Sequence, residues 1–212
     1  MRLVLASASP RRRELLAQLG LDFEVVPSDA DETMPPELPP ERGPAELARR
    51  KARAVTTRLA GAGAPAVVLA ADTLVILDGR PFGKPASRAD ARAMLRTLRG
   101  RTHEVVTGLA VVETATGREW SETVVSRVAM REFADAELEA YVLTGEPDDK
   151  AGAYAVQGAG GRLVARVAGS VTNVIGLPLE ATARLLRQAG VAVTDPPSTG
   201  PAASDPGSTE PR

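Results

Sequence analysis

The sequence predicts an α/β domain in which short and long strands lead into amphipathic helices around one largely buried sheet. Three observations predict it. Residues 3–6 are a short apolar run that leads directly into a helix start. Residues 67–77 form an apolar run of strand length, broken once by Asp72, as expected of a central strand covered on both faces. Residues 102–113 and 118–130 are two long strands around the turn Thr114-Ala115-Thr116-Gly117, which makes them an antiparallel pair. With 212 residues, 43% of them hydrophobic, the chain is large enough for one domain with a substantial core.

The first helix begins where Pro10 fits the first helical position and Ser9 precedes it as N-cap. Leu15, Leu16 and Leu19 give it an apolar face and Gly20 ends it. Its first turn carries Arg11, Arg12 and Arg13, at the helix end that already bears the positive half of the macrodipole. Each arginine there costs a few tenths of a kcal/mol, or about 1 at most, unless an anion is present. Free N–H groups, the Ser7 and Ser9 hydroxyls and guanidinium forks make an anion site suited to phosphate; the alternative is a solvated basic helix start.

A short strand at 23–26 follows, then an acidic loop. Asp29, Asp31 and Glu32 place three carboxylates within four positions, either a solvated turn or oxygen ligands for a divalent cation. Residues 34–44 hold five prolines without helical or strand period and are expected to be a mobile loop or lid. A second helix spans 44–59, with Leu47, Lys51, Ala54, Val55 and Leu59 on one face and Arg49, Arg50, Arg53 and Arg58 on the solvent side. Lys51 on the apolar stripe must snorkel or meet an anion.

After a turn at 61–65 comes the central strand with Asp72 inside it. A carboxylate there is costly unless paired or metal-bound, and structural aspartates usually sit in turns and caps, so Asp72 reads as functional. Asp78-Gly79 makes a hairpin turn, and the return arm ends in Gly83-Lys84-Pro85. Lys84 is either a phosphate ligand or an exposed loop lysine. Residues 87–98 form a helix with Ser87 and Asp90 arranged like a capping box and Ala91, Met94, Leu95 and Leu98 inside. Beyond the long strand pair, Asp135 is expected to cap a helix that runs to about residue 144. Residues 148–161 are rich in glycine and alanine, which suits either close approach to a ligand or a plain loop. Strands are expected at 163–167 and 171–175, and Pro178 opens a last helix to residue 189. The domain is therefore 1–194, followed by a Pro/Ser/Gly-rich tail at 195–212 that cannot bury a core and is expected to be disordered.

Composition narrows the chemistry. The chain has no cysteine and one histidine, which excludes a thiolate nucleophile, a Cys-based zinc site and a multi-histidine metal centre. His103 reads as an ordinary strand-edge residue. Carboxylates, Lys, Arg and a hard cation held through oxygen remain for catalysis. A net charge of −1 argues against a nucleic-acid polymer as partner and makes the arginines a local site. No stretch is long enough to cross a membrane, and the start has no signal-peptide pattern, so the expectation is a soluble, cytoplasmic protein.

Four segments carry a resemblance. Ser7-x-Ser9-Pro10-Arg11-Arg12, Ala71-Asp72-Thr73, Gly83-Lys84-Pro85, and Asp149-Lys150-Ala151-Gly152-Ala153-Tyr154 with Gln157-Gly158 resemble, in order and spacing, the Maf family of nucleoside triphosphate pyrophosphatases over about residues 2–193. The resemblance implies a single Maf/ITPase-like domain: an elongated curved mixed sheet flanked by helices, with two lobes, a central cleft and often a homodimer. It implies hydrolysis of a nucleoside triphosphate between the α and β phosphates with a divalent cation, Mg²⁺ or Mn²⁺. By position, Asp72 resembles the proton acceptor. Arg12, Lys51 and Lys84 resemble triphosphate ligands, with Ser7, Ser9 and Arg11 beside them. Glu32 and Asp72 resemble the metal-side carboxylates. Arg12, Thr73 and Gln157 match the branch acting on dTTP and UTP, and a glutamine amide can both donate to and accept from a uracil or thymine edge. The alternatives are a 7-methyl-GTP or ITP-type pyrophosphatase, and a non-enzymatic regulator of septation, a process with which the family is associated.

Overall fold

The computed structural model describes residues 1–35, 37–61 and 65–194. The tail expected from residue 195 lies wholly outside these, and the turn expected at 61–65 partly so. The strands are β1 (Arg2–Leu5), β2 (Glu24–Val25), β3 (Ala66–Leu77), β4 (Arg80–Phe82), β5 (Thr102–Glu113), β6 (Glu119–Met130) and β7 (Val164–Ala168). The helices are α1 (Pro10–Ala17), α2 (Gly43–Leu59), α3 (Arg88–Leu98), α4 (Asp135–Leu143), α5 (Val171–Ile175) and α6 (Leu179–Gln188). They build one mixed sheet in the order β2-β1-β3-β5-β6-β7, with β4 paired to β3 off that path. β1 runs parallel to β2 and β3, and the remaining pairs are antiparallel. The expected α/β domain and the antiparallel pairing of the two long strands are both present.

Strand alternation sorts the core. Leu3 and Leu5 of β1 and Val67, Leu69 and Ala71 of β3 join α1 and α6 on one face. Val4, Val68 and Ala70 join Ala48, Ala52 and Val55 of α2 on the other. Farther along β3, Val75 and Leu77 enter a third cluster with Val105 of β5, Leu95 of α3 and Leu138 of α4. Between these regions β3 is only half-buried, at Asp72, Thr73 and Leu74. One strand therefore crosses from one core region to the next, and the interval between them is the floor of a cleft.

α2 reaches that interval because of Gly108. On β5, directly opposite Asp72, Gly108 has no side chain. A Cβ there would stand 2.2 Å from the Ala45 nitrogen. The first turn of α2 thus lies directly on the sheet, which brings Lys51, two turns on, over the middle of β3.

Local chemistry overrode the sequence reading in a few places. Residues 171–175 are helix α5, not a strand. Their β-branched composition favours a strand, but Ser170 caps the segment by accepting from the Asn173 N–H at 3.2 Å. The buried Asn173 amide then donates to the Val105 carbonyl and the Ser126 hydroxyl, both at 2.9 Å, which ties the turn down. Ala134, not Asp135, is the N-cap of α4; Asp135 sits one place inside, where it accepts from Arg96 and Arg99. The proline-rich stretch contains a 3₁₀ turn at Pro40–Arg42 that leads into α2.

Candidate active site

The cleft has a volume of about 660 Å³, enough for a nucleotide-sized ligand. Residues from the β1–α1 turn, α2, the middle of β3, the arm after β4, the loop before β7 and α5 line it. Ser7, Ser9, Arg11, Arg12, Glu32, Lys51, Asp72, Thr73, Lys84 and Gln157 all line this one cleft. Separations of up to 150 positions in sequence are thus brought together.

On the floor, Lys51 Nζ lies 2.7 Å from Asp72 Oδ1 and 3.1 Å from Glu32 Oε1. Lys51 and Asp72 are nearly buried there, with side-chain exposures of 9% and 14%, while Glu32 enters from the exposed loop. Of the two readings of Lys51, it is the anion partner that holds. The acidic loop does not converge as a cluster. Asp31 accepts from the Thr33 N–H and Asp29 pairs loosely with Arg58, so only Glu32 reaches the floor.

Arg12 forms the second fixed cation. Its Nε donates to the Gly176 carbonyl at 2.9 Å, one terminal nitrogen to Thr73 Oγ1 at 3.2 Å and the other to Ser7 Oγ at 3.4 Å. Three of the five donors of a guanidinium are thereby spent on orientation, and two are left for a ligand. Desolvation pulls Arg12 below its ordinary value, opposed by the charges of Asp72 and Glu32. Arginine stays protonated through such a shift. Behind it, Thr73 shares a hydrogen bond with Thr107 at 2.9 Å, and Thr107 donates to the Asn173 carbonyl at 3.3 Å. α1 begins as expected, with Ser9 Oγ accepting from the Arg12 N–H.

Arg11 is placed at the rim, where it meets Asp149 at 3.3 Å across the cleft. Arg13 is exposed and does not line the cleft. Lys84 is exposed on the arm after β4. Gln157 is exposed in the cleft lining, which the buried Tyr154 shares.

A Maf-like protein family model matches residues 2–189. The chain belongs to the Maf family. It is 54% identical over 191 residues to the dTTP/UTP pyrophosphatase of Anaeromyxobacter dehalogenans strain 2CP-C, covering 89% of this chain and 94% of that one. It is 52% identical to the dTTP/UTP pyrophosphatase of Moorella thermoacetica, over 91% of this chain and 97% of that one. It is also 51% identical to the protein of that name from Myxococcus xanthus, over 89% and 93% of the two chains. These matches extend over nearly all the described residues, so every side chain of the cleft falls within the Maf region.

Sequence reasoning missed several polar residues that shape the site. Thr107 and Asn173 support Arg12 from behind. Asn173 carried a usable signal, a polar residue interrupting a β-branched run as Asp72 interrupts its strand. His103 was expected at a strand edge and is instead 1% exposed, with Nε2 2.7 Å from Tyr154 Oη. Burial pushes the His103 imidazole down to about 4, so it is neutral near pH 7.

Proposed function

We propose that this chain is a nucleoside triphosphate pyrophosphatase that hydrolyses dTTP and UTP to the monophosphate and pyrophosphate. One observation carries the reading. A nearly buried carboxylate, Asp72, faces Lys51 and the charge of Arg12 in a cleft that the exposed Gln157 also lines. The names of the relatives at more than 50% identity point to the same substrates.

Arg12, Lys51 and Lys84 bind the triphosphate and offset the charge that builds on the leaving pyrophosphate. Ser7, Ser9 and the start of α1 add neutral donors. Asp72 orients a water molecule and takes its proton as the water oxygen bonds to the α-phosphorus. The bond from that phosphorus to the bridging oxygen breaks, and pyrophosphate leaves with the electron pair. Lys51, which neutralises Asp72 while the cleft is empty of substrate, turns to the phosphates when they arrive. Gln157 reads the uracil or thymine edge.

A divalent cation, Mg²⁺ or Mn²⁺, fits the donor set. Asp72 and Glu32 converge on one point, now held by the Lys51 ammonium, and both would hold the ion. Among the described residues no third His, Cys, Asp or Glu joins them, which suits a cation that takes its other ligands from phosphate and water. When bound, it polarises the α-phosphoryl group.

Among the described residues no helix is long and apolar enough to cross a membrane. We infer a cytoplasmic enzyme, since its nucleotide substrates are there. The deciding experiment is pyrophosphate release from dTTP, UTP, CTP, 7-methyl-GTP and ITP with Mg²⁺ or Mn²⁺, wild type beside Asp72→Asn. The expected result is release from dTTP and UTP that the variant loses by about 10²–10⁴-fold. Full activity in Asp72→Asn would sink the catalytic assignment, and release from 7-methyl-GTP or ITP instead would overturn the specificity.

A further inference from the structure

The loop that carries Gln157 is held from behind by two residues that do not line the cleft. On its N-terminal side, the Ala155 N–H donates to Tyr141 Oη at 3.1 Å. On its C-terminal side, the N–H groups of Ala159 and Gly160 donate to the two carboxylate oxygens of Glu146, each at 3.1 Å. Tyr141 closes the arrangement by donating its hydroxyl proton to Glu146 at 3.1 Å. Gln157 is thus bracketed by three backbone hydrogen bonds, and a fourth joins the phenol and the carboxylate that accept them. Gly158 fits the same contact. It has φ +69°, and a Cβ there would lie 2.7 Å from Glu146 Oε2. The glycine next to Gln157 therefore serves the packing of the loop onto Glu146, where the sequence alone left either close approach to a ligand or a plain loop.

We infer that Glu146, braced by Tyr141, is a specificity-determining positioning residue that fixes Gln157 at the depth and angle where its amide selects uracil or thymine. The inference rests on Gln157 reading the base. Residue type alone does not make that selection. Turned over by 180°, a glutamine amide suits the donor and acceptor of cytosine as well as those of uracil. Selection requires a backbone placed to within about 0.5 Å, and an exposed side chain beside a glycine has that only if the loop is tied. A carboxylate that accepts two backbone N–H groups and a phenol is a strong tie, because bonds to an ionised acceptor are roughly twice as strong as neutral ones. Neither Glu146 nor Tyr141 lines the cleft, so both act through the loop that carries Gln157.

The test measures kcat and KM for UTP and CTP in the wild type, Glu146→Gln, Tyr141→Phe and Gln157→Ala. Glu146→Gln keeps the shape but cannot accept both N–H groups. Tyr141→Phe removes one oxygen and serves even if Glu146→Gln fails to fold. The expected result for both is a KM for UTP raised about tenfold and a UTP/CTP ratio of kcat/KM lowered about tenfold, with kcat on UTP changed less than about threefold; tenfold is one good hydrogen bond's worth of misplacement. An unchanged ratio, or an equal loss on both nucleotides, would overturn the inference while Gln157→Ala still loses the preference. A Gln157→Ala enzyme that keeps its preference would instead overturn the base-reading assignment, and the role of Glu146 with it.

Discussion

The ammonium of Lys51 stands 2.7 Å from the carboxylate of Asp72 on the floor of the cleft, and each is nearly buried by the other's element. α2 brings the cation and β3 the anion. Each alone would be an uncompensated charge in a poorly solvated place, so each accounts for the other. Lys51→Met therefore acts twice. It removes a phosphate ligand, and it leaves Asp72 without its partner. The expected result is a KM for the triphosphate raised at least about tenfold and a stability loss of about 1–3 kcal/mol by urea unfolding. Unchanged KM would show that Lys51 serves only the empty cleft.

Arg12→Lys should behave as a severe change. A lysine ammonium has no planar fork, so it cannot bond Gly176, Thr73 and Ser7 and still present two donors to phosphate. kcat/KM should fall by about 10–10²-fold, the loss of one or two charge-assisted bonds. Thr73→Val, which removes one of the three tethers, should fall less. Equal activity of Arg12→Lys and wild type would show that the fork is not used.

Gly108→Val should both destabilise and inactivate. The added carbons meet the backbone of Pro44 and Ala45, which cannot swing aside as a side chain can. Overpacking of this kind costs about 1–3 kcal/mol or more. Since α2 carries Lys51, displacing its first turn also moves Lys51 from Asp72. A normal melting temperature with lost activity would separate the second effect from the first, whereas a variant unchanged in both would refute the close approach.

Stability should fall as pH drops through the range of the sole histidine. The His103 imidazole is near 4 when folded, against 6.5 ordinarily. Between these values the unfolded chain binds a proton that the folded chain does not, so unfolding becomes easier as pH falls. The contribution is complete above about pH 6.5 and is lost toward pH 4, up to about 3 kcal/mol for a shift of this size. Urea unfolding at pH 7.5, 6 and 5 should show that slope, and His103→Gln, which can still bond Tyr154, should flatten it. A single imidazole resonance titrating near 6.5 in the folded protein would contradict the buried His103–Tyr154 pair.

The parts of the site that were legible in the sequence are those where a residue conflicts with its own neighbourhood. Asp72 interrupts an apolar strand, Lys51 sits on an apolar helix stripe, and three arginines crowd a helix start. Such conflicts are local, so a linear reading finds them. Partners that lie far off in the sequence were not legible. Asn173 lies 68 positions from Val105 and 47 from Ser126, and nothing next to it announces either bond. Glu146, just past the helix expected to end near residue 144, gave no signal because its role lies with N–H groups 13 and 14 positions on.

By itself the sequence determined the order and type of nearly all the elements, the apolar faces that must meet, and the residue types able to handle a triphosphate. These follow from periodicity, capping and the cost of burying charge, which act over a few residues. Only the tertiary structure decided that Glu32 alone of the acidic loop reaches Lys51. It also decided that Arg11 turns to Asp149 while Arg12 turns inward, and that 171–175 closes as a helix behind Arg12. Those outcomes depend on which distant groups are within about 3 Å of one another, and that distance is set by the packing of whole elements against the sheet.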